Sequence, residues 1–74
     1  MNKQFGNKLR NLREEHDLTQ SELGEKINFS QRKISYLENN VCEPNIDDIK
    51  SICLFFKISA DSLLGLPKGL NYKE

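Results

Sequence analysis

The run TQSELGEKINFSQRKISYLEN, residues 19–39, decides the fold. It opens on Thr19-Gln20-Ser21-Glu22, a capping-box pattern. In such a box the threonine hydroxyl accepts from a backbone N–H one turn on, and the glutamate carboxylate accepts from the threonine's own N–H. Leu23 and Ile27 follow four apart, on one face of a helix. Asn28 tolerates the left-handed conformation of a sharp helix exit. Ser30 then offers an N-cap to another helix over residues 31–39, with Ile34 and Leu37 as its buried pair. Two short helices joined by a turn of about three residues must touch closely, so a small residue has to face the contact. Gly24 supplies it, at a cost of about 1 kcal/mol relative to alanine in a helix. With Phe29 closing the turn, the hairpin holds its second helix proud of the body.

The flanking sequence supplies the supports. Phe5, Leu9 and Leu12 recur at helical spacing and predict a first helix from about residue 4 to residue 16. His16 at its end suits a helix C-terminus in the charged form and otherwise reads as an exposed residue without chemistry. Asn39-Asn40 suits the exit of the helix over 31–39, and Pro44 cannot continue it. A fourth helix starts after Asn45, with Ile46, Ile49, Ile52, Cys53 and Phe56 as the expected inward stripe. Ser59 can cap a short fifth helix carrying Leu63 and Leu64, ended by Gly65 and Pro67. No segment reads as a strand. The expected fold is all-α: a five-helix domain over residues 1–66, with helices 2 and 3 forming a helix-turn-helix. Residues 68–74 have no period, so 67–74 reads as a short tail, either a dimer contact or disordered.

Composition bounds the function. The chain has 74 residues, 30% charged and 36% hydrophobic, within the range of a soluble globular protein. A domain this small buries only about 60% of its unfolded surface, and a second sensing domain is not expected. No apolar run approaches the ~20 residues of a membrane span, and residues 1–6 lack a signal-peptide core. The expectation is a cytoplasmic protein with no membrane partner. Cys42 and Cys53 lack metal-ligand spacing and His16 is the only histidine. Two free thiols in a reducing compartment follow, with no metal and no cofactor expected.

An enzyme is not expected. Asp47-Asp48 and Glu14-Glu15 are adjacent in sequence, so on helices their carboxylates diverge rather than converge on a substrate. Asp48 reads instead as favourable charge at a helix N-terminus. Ser35 and Tyr36 have no histidine or lysine partner placed beside them, and no glycine-rich phosphate loop is present.

Eleven basic and eleven acidic side chains give zero net charge, and the sequence pI is about 6.6. Neutrality counts against nucleic-acid binding, since such domains are commonly basic. Local asymmetry is nevertheless enough to create a basic face. At about 100° per residue, Ile34 and Leu37 turn inward, while Arg32, Ser35, Tyr36 and Asn39 cluster outward with Gln31 at the tip. No acid occupies that face. Glutamine can pair bidentately with adenine and arginine with guanine, and the two hydroxyls can reach phosphate or bases. A solvated polar face would carry the same pattern. Glu38 points toward the inward side and is expected to pair with Arg13 on the first helix, a structural role.

Residues 18–23, LTQSEL, through 34–39, ISYLEN, resemble the Cro/C1 (Xre-type) helix-turn-helix family of phage repressors and bacterial regulators. Pro44, the fourth-helix stripe and ISADSLL at 58–64 extend the resemblance over about residues 5–65. It implies a lambda-repressor-like domain acting as a homodimer on a pseudo-palindromic double-stranded DNA operator. Helix 3 would lie in the major groove, most simply as a repressor. By position, Gln31, Arg32, Ser35 and Tyr36 would contact bases, and Gln20, Lys33, Asn39 and Asn45 the DNA backbone. The family pairing of a helix-1 arginine with the glutamate ending helix 3 falls on Arg13 and Glu38.

Some positions depart from the family pattern. Gly24 replaces a usual alanine, read as harmless. Asn28 and Asn40 replace glycines, and both remain compatible with positive φ. Lys57 stands where glycine or asparagine is preferred, implying mild strain. Candidate dimer contacts are Ala60, Ser62, Leu66, Leu70 and Tyr72, and Leu54 and Phe55 could leave an apolar patch. The alternative is a protein-interaction module of the same fold, antitoxin-like or an accessory regulator, with a protein as its main partner.

Overall fold

Five helices follow one another in the computed structural model, which describes residues 4–64: α1 (Gln4–Glu15), α2 (Gln20–Ile27), α3 (Gln31–Glu38), α4 (Ile46–Phe56) and α5 (Ala60–Leu64). No strand occurs among the described residues. The fold is all-α, with α2 and α3 packed as a helix-turn-helix.

Local chemistry fixes where each helix begins and ends. At α2, Glu22 N donates to Thr19 Oγ1 at 3.0 Å and Thr19 N donates to Glu22 Oε1 at 2.8 Å. That closes a reciprocal cap. Asn28 ends α2 in the left-handed region at φ 65°, and Phe29 N donates to Gly24 O at 2.7 Å. Ser30 caps α3, accepting from Lys33 N at 3.0 Å. The helix stops at Glu38. Of the two asparagines that follow, Asn40 takes the positive φ, 60°, whereas Asn39 stays at −96°. Asn45 and Asp48 form a second capping box at the start of α4, at 2.7 and 3.1 Å. Lys57 ends that helix at φ 58°. Ser59 Oγ accepts from Ser62 N at 3.1 Å at the head of α5.

Every helix contributes to one core. Phe5, Leu9 and Leu12 of α1 meet Leu23, Ile34, Leu37, Ile52, Phe56 and Leu63, all buried. Leu18, Ile27, Phe29, Ile49, Cys53, Phe55 and Ile58 pack around them, partly buried. Full burial of a side chain of this kind contributes about 1.5–3 kcal/mol, so the cluster supports the whole domain.

Two readings of the sequence need correction. Ile46 is not part of the inward stripe: it is 75% exposed. The buried line of α4 is Asp48, Ile52 and Phe56, and at about 100° per residue Ile46 lies roughly 120° away from it. A carboxylate holds the place where an apolar residue was sought. Gly24 is also not a neutral replacement for alanine, because a Cβ there would collide with the backbone carbonyl of Phe29. The first helix matches its expected span to within a residue, α1 ending at Glu15. His16 follows it, its ring edge-on to Phe56 with centroids 4.9 Å apart. The helix-ending Gly65 and Pro67, the 1–66 boundary, and Leu66, Leu70 and Tyr72 of the tail lie outside the described residues.

Candidate nucleic-acid interface

α3 stands between two polar networks that fix its height and its rotation. The first is at its C-terminal end. Glu38 is 2% exposed and receives Arg13 Nε on Oε2 at 2.6 Å and Arg13 Nη2 on Oε1 at 3.1 Å. Arg13 Nη1 also donates to Leu18 O at 2.8 Å, so one guanidinium joins α1, the link to α2, and α3. Burial pushes the Glu38 carboxyl up, but the hydrogen bonds from Arg13 and Gln20 prevail and hold it below the usual carboxylate range. Donating those hydrogen bonds to Glu38 in turn raises the pKa of Arg13.

The network continues outward to the tip of α3. Gln20 Nε2 donates to Glu38 Oε1 at 3.2 Å, and Gln20 Oε1 accepts from Gln31 Nε2 at 2.6 Å. A chain of polar contacts thus runs from the buried carboxylate to the exposed amide of Gln31. An open groove of roughly 560 Å³ beside it is lined by Arg13, Thr19, Gln20 and Gln31 and also by the acids Glu14 and Asp17. On the other side of Glu38, Arg10 of α1 places Nε 3.4 Å from Glu38 Oε1 and Nη2 3.3 Å from Asn39 Oδ1. Asn39 Nδ2 in turn donates to Ser35 O at 2.9 Å.

The second network ties α3 to α4. Lys33 Nζ lies 2.7 Å from Asp48 Oδ1 and 4.3 Å above the Phe29 ring. Asp48 is buried, and its other oxygen accepts from Asn45 N. Asn45 is exposed, and its Oδ1 is occupied by the α4 cap. No buried side-chain polar atom among the described residues lacks a hydrogen-bond partner.

The structure therefore brings Gln20, Gln31, Glu38, Arg13 and Asn39 into one connected set. Lys33 and Asn45 meet through Asp48 in the other. Arg32 is exposed, Tyr36 is 43% exposed and Ser35 is half-buried. Glu38 and Asp48 are matched by Arg13 and Lys33, Arg32 is exposed on α3 and Arg10 is part-exposed beside its end, whereas Glu14 and Asp17 line the groove next to Gln20 and Gln31.

Sequence reasoning missed two residues. Arg10 lies three before Arg13, a spacing that puts both on one helical face, and that signal was available. Gly6 had none. A Cβ there would collide with the Glu38 carbonyl, so Gly6 lets α1 lie directly against the end of α3.

Two short helices at a tight asparagine-ended turn, the second displaying a polar face and anchored at both ends, define a helix-turn-helix protein. The chain belongs to the family described as "Helix-turn-helix domain", which it matches over residues 6–68. It is 38% identical over 61 residues to the HTH-type transcriptional activator BcrR of Enterococcus faecalis, covering 82% of this chain and 30% of that one. Similarity to the antitoxin PezA of Streptococcus pneumoniae is 33% over 70 residues, 95% of this chain and 44% of PezA. The HTH-type transcriptional regulator ImmR of Bacillus subtilis is 30% identical over 61 residues, 82% of this chain and 48% of ImmR. The chain thus spans less than half the length of each of these relatives. No solved structure gives a significant match.

Proposed function

We propose that the chain is a Cro/C1 (Xre-type) transcriptional regulator that reads double-stranded operator DNA with α3 in the major groove. The observation that carries this reading is the run of contacts Glu38–Gln20–Gln31. Gln31 gives one N–H to Gln20 and keeps a second N–H and its carbonyl oxygen for a ligand. Those two groups, side by side, are what an adenine edge requires. A side chain already held by its neighbours loses less freedom on binding.

Arg32 beside it suits guanine, and Ser35 and Tyr36 extend the base-reading face along the helix. Gln20, Asn39 and Asn45 border that face and serve the DNA backbone. α3 has eight residues, enough for only a few base pairs, so a homodimer on a pseudo-palindromic operator follows. Its two reading helices would lie about 34 Å apart in successive major grooves. Occupying a promoter in this way makes the simplest role that of a repressor, in the cytoplasm and without an enzymatic step. The relatives named as a transcriptional activator and a transcriptional regulator support regulation and leave its sign open.

A second reading has its own support. The relative named as an antitoxin aligns with 95% of this chain, and Leu54 is 76% exposed on α4. In that reading the same fold chiefly binds a protein.

Selection of bound duplexes from a random pool at moderate salt separates the two. Enrichment of an inverted repeat, with half-site centres about one helical turn apart, is the expected result. A folded protein that enriches no sequence turns the proposal toward a protein partner.

A further inference from the structure

We infer that the backbone-facing cation at the C-terminal end of α3 is Arg10, contributed by α1, and that Lys33, although on α3 itself, is a positioning strut. The inference rests on the DNA-reading proposal and assigns a phosphate contact within it.

Charge accounting around Glu38 comes first. One carboxylate faces two arginines. Arg13 occupies both of its oxygens, at 2.6 and 3.1 Å, with a side chain 13% exposed. Arg10 stands further off, at 3.4 Å, and its side chain is 43% exposed. Its closer partner is the neutral Asn39 oxygen, at 3.3 Å. Arg13 therefore neutralises Glu38, and the charge of Arg10 remains available at the surface. That guanidinium is held beside Asn39, where α3 ends. A planar group with several donors, fixed at one edge and open at the other, suits a phosphate.

Lys33 is in the opposite condition. Its ammonium meets Asp48 at 2.7 Å, and the Asp48 side chain is only 8% exposed. The Phe29 ring lies beneath the same ammonium. Moving Lys33 to a phosphate would leave a buried carboxylate without its cation, a costly arrangement. Its charge is thus cancelled before DNA arrives, and its binding to phosphate would release no net counterion. What Lys33 supplies is the rotation of α3 about its axis, through Asp48, which also closes the α4 cap.

The test is the salt dependence of binding to a mixed-sequence duplex and to the selected operator, for wild type, Arg10→Gln, Arg10→Lys and Lys33→Met. Each phosphate contact contributes about −0.9 to the slope of log K against log salt. Arg10→Gln should reduce the slope by about 0.9 per bound subunit, and Arg10→Lys should restore most of it. Lys33→Met should keep the wild-type slope while lowering the ratio of operator to mixed-sequence affinity. A wild-type slope for Arg10→Gln overturns the Arg10 assignment, and a reduced slope for Lys33→Met overturns the strut.

Should Arg10→Gln fail to fold, the Arg10 Nε–H resonance of the wild-type protein serves instead. It should shift on adding duplex, and a resonance that stays in place overturns the assignment. Wild-type protein that is folded and binds no duplex overturns the DNA reading itself, a separate outcome.

Discussion

Glu38 lies buried beneath Arg13, with Nε and Nη2 of the arginine on its two oxygens at 2.6 and 3.1 Å. Because Arg13 also holds the Leu18 carbonyl, the pair sets the position of α3 relative to both α1 and the start of α2. Its effect is geometric before it is energetic. A buried ion pair contributes little net stability against an apolar replacement, yet removing one partner is expensive.

The two halves of the pair should therefore respond unequally to truncation. Arg13→Ala leaves Glu38 buried with only Gln20 and the more distant Arg10, and should cost about 3–5 kcal/mol. Glu38→Ala leaves a guanidinium that can turn toward water, and should cost less. Urea unfolding of both variants measures the difference. A smaller loss for Arg13→Ala than for Glu38→Ala would refute the assignment of the buried charge as the costly partner.

The same carboxylate gives stability a pH dependence of known sign. Its folded-state pKa is lowered, so the folded protein binds fewer protons there than the unfolded chain does. The contribution is fully present above the unfolded value of about 4.3 and is lost as pH falls through the folded one. The stability difference between wild type and Glu38→Gln should be constant near neutrality and shrink in acid. A difference that grows on acidification would contradict the lowered pKa.

Helix ends were legible in the sequence because capping is local chemistry. Thr19 with Glu22, Ser30, Asn28 and Asn40 each act through the backbone within a turn of themselves. The core of α1, α2 and α3 was legible for a related reason, since Leu9, Leu23, Ile34 and Leu37 sit where a helical period puts them. The stripe of α4 was misread because period alone does not distinguish an apolar line from one that starts with a buried carboxylate. The charge of the buried Asp48 is met by Lys33, fifteen positions earlier. Arg10 and Gly6 matter through contacts with α3 more than twenty-five residues away; the helical spacing of Arg10 from Arg13 hinted at its side of α1, but no local rule pointed to Gly6. Of the candidate reading face, residue types and directions were visible in advance. The Gln20–Gln31 contact that orients its tip was not.

Lys57 offers a gain in stability. It ends α4 at φ 58° and ψ 46°, a conformation that costs an L-residue with a Cβ about 1–2 kcal/mol. Lys57→Gly removes that cost but adds freedom to the unfolded chain, so a net gain of about 0.5–1 kcal/mol is expected. In a domain of this size that raises Tm by several degrees, roughly 4–8 °C per kcal/mol. An unchanged or lower Tm would mean that the lysine side chain has a compensating contact.

Gly24 should behave in the opposite sense to its helix propensity. Propensity alone makes Gly24→Ala stabilising by about 1 kcal/mol. The added methyl, however, would collide with the Phe29 carbonyl, whose turn must stay closed for α3 to pack. Overpacking of this kind costs about 1–3 kcal/mol, so the variant should be less stable than wild type. A more stable Gly24→Ala would show that the turn can open without loss.

Arg32 and Gln20 should separate sequence choice from attachment. Arg32 is exposed in the first turn of α3, and on the proposed reading its alanine variant should lose about 1–3 kcal/mol on the preferred operator, with preference relaxed at one base pair. Gln20, proposed as a backbone contact, also accepts from Gln31. Its alanine variant should weaken binding to every duplex and additionally blur the base read by Gln31. Measuring each variant against the operator and its single-base substitutions resolves the two patterns. Equal losses for Arg32→Ala on all sequences would remove it from the base-reading set. A purely uniform loss for Gln20→Ala would mean that Gln31 finds its orientation without the Glu38–Gln20 relay, and that the buried pair supports the height of α3 alone.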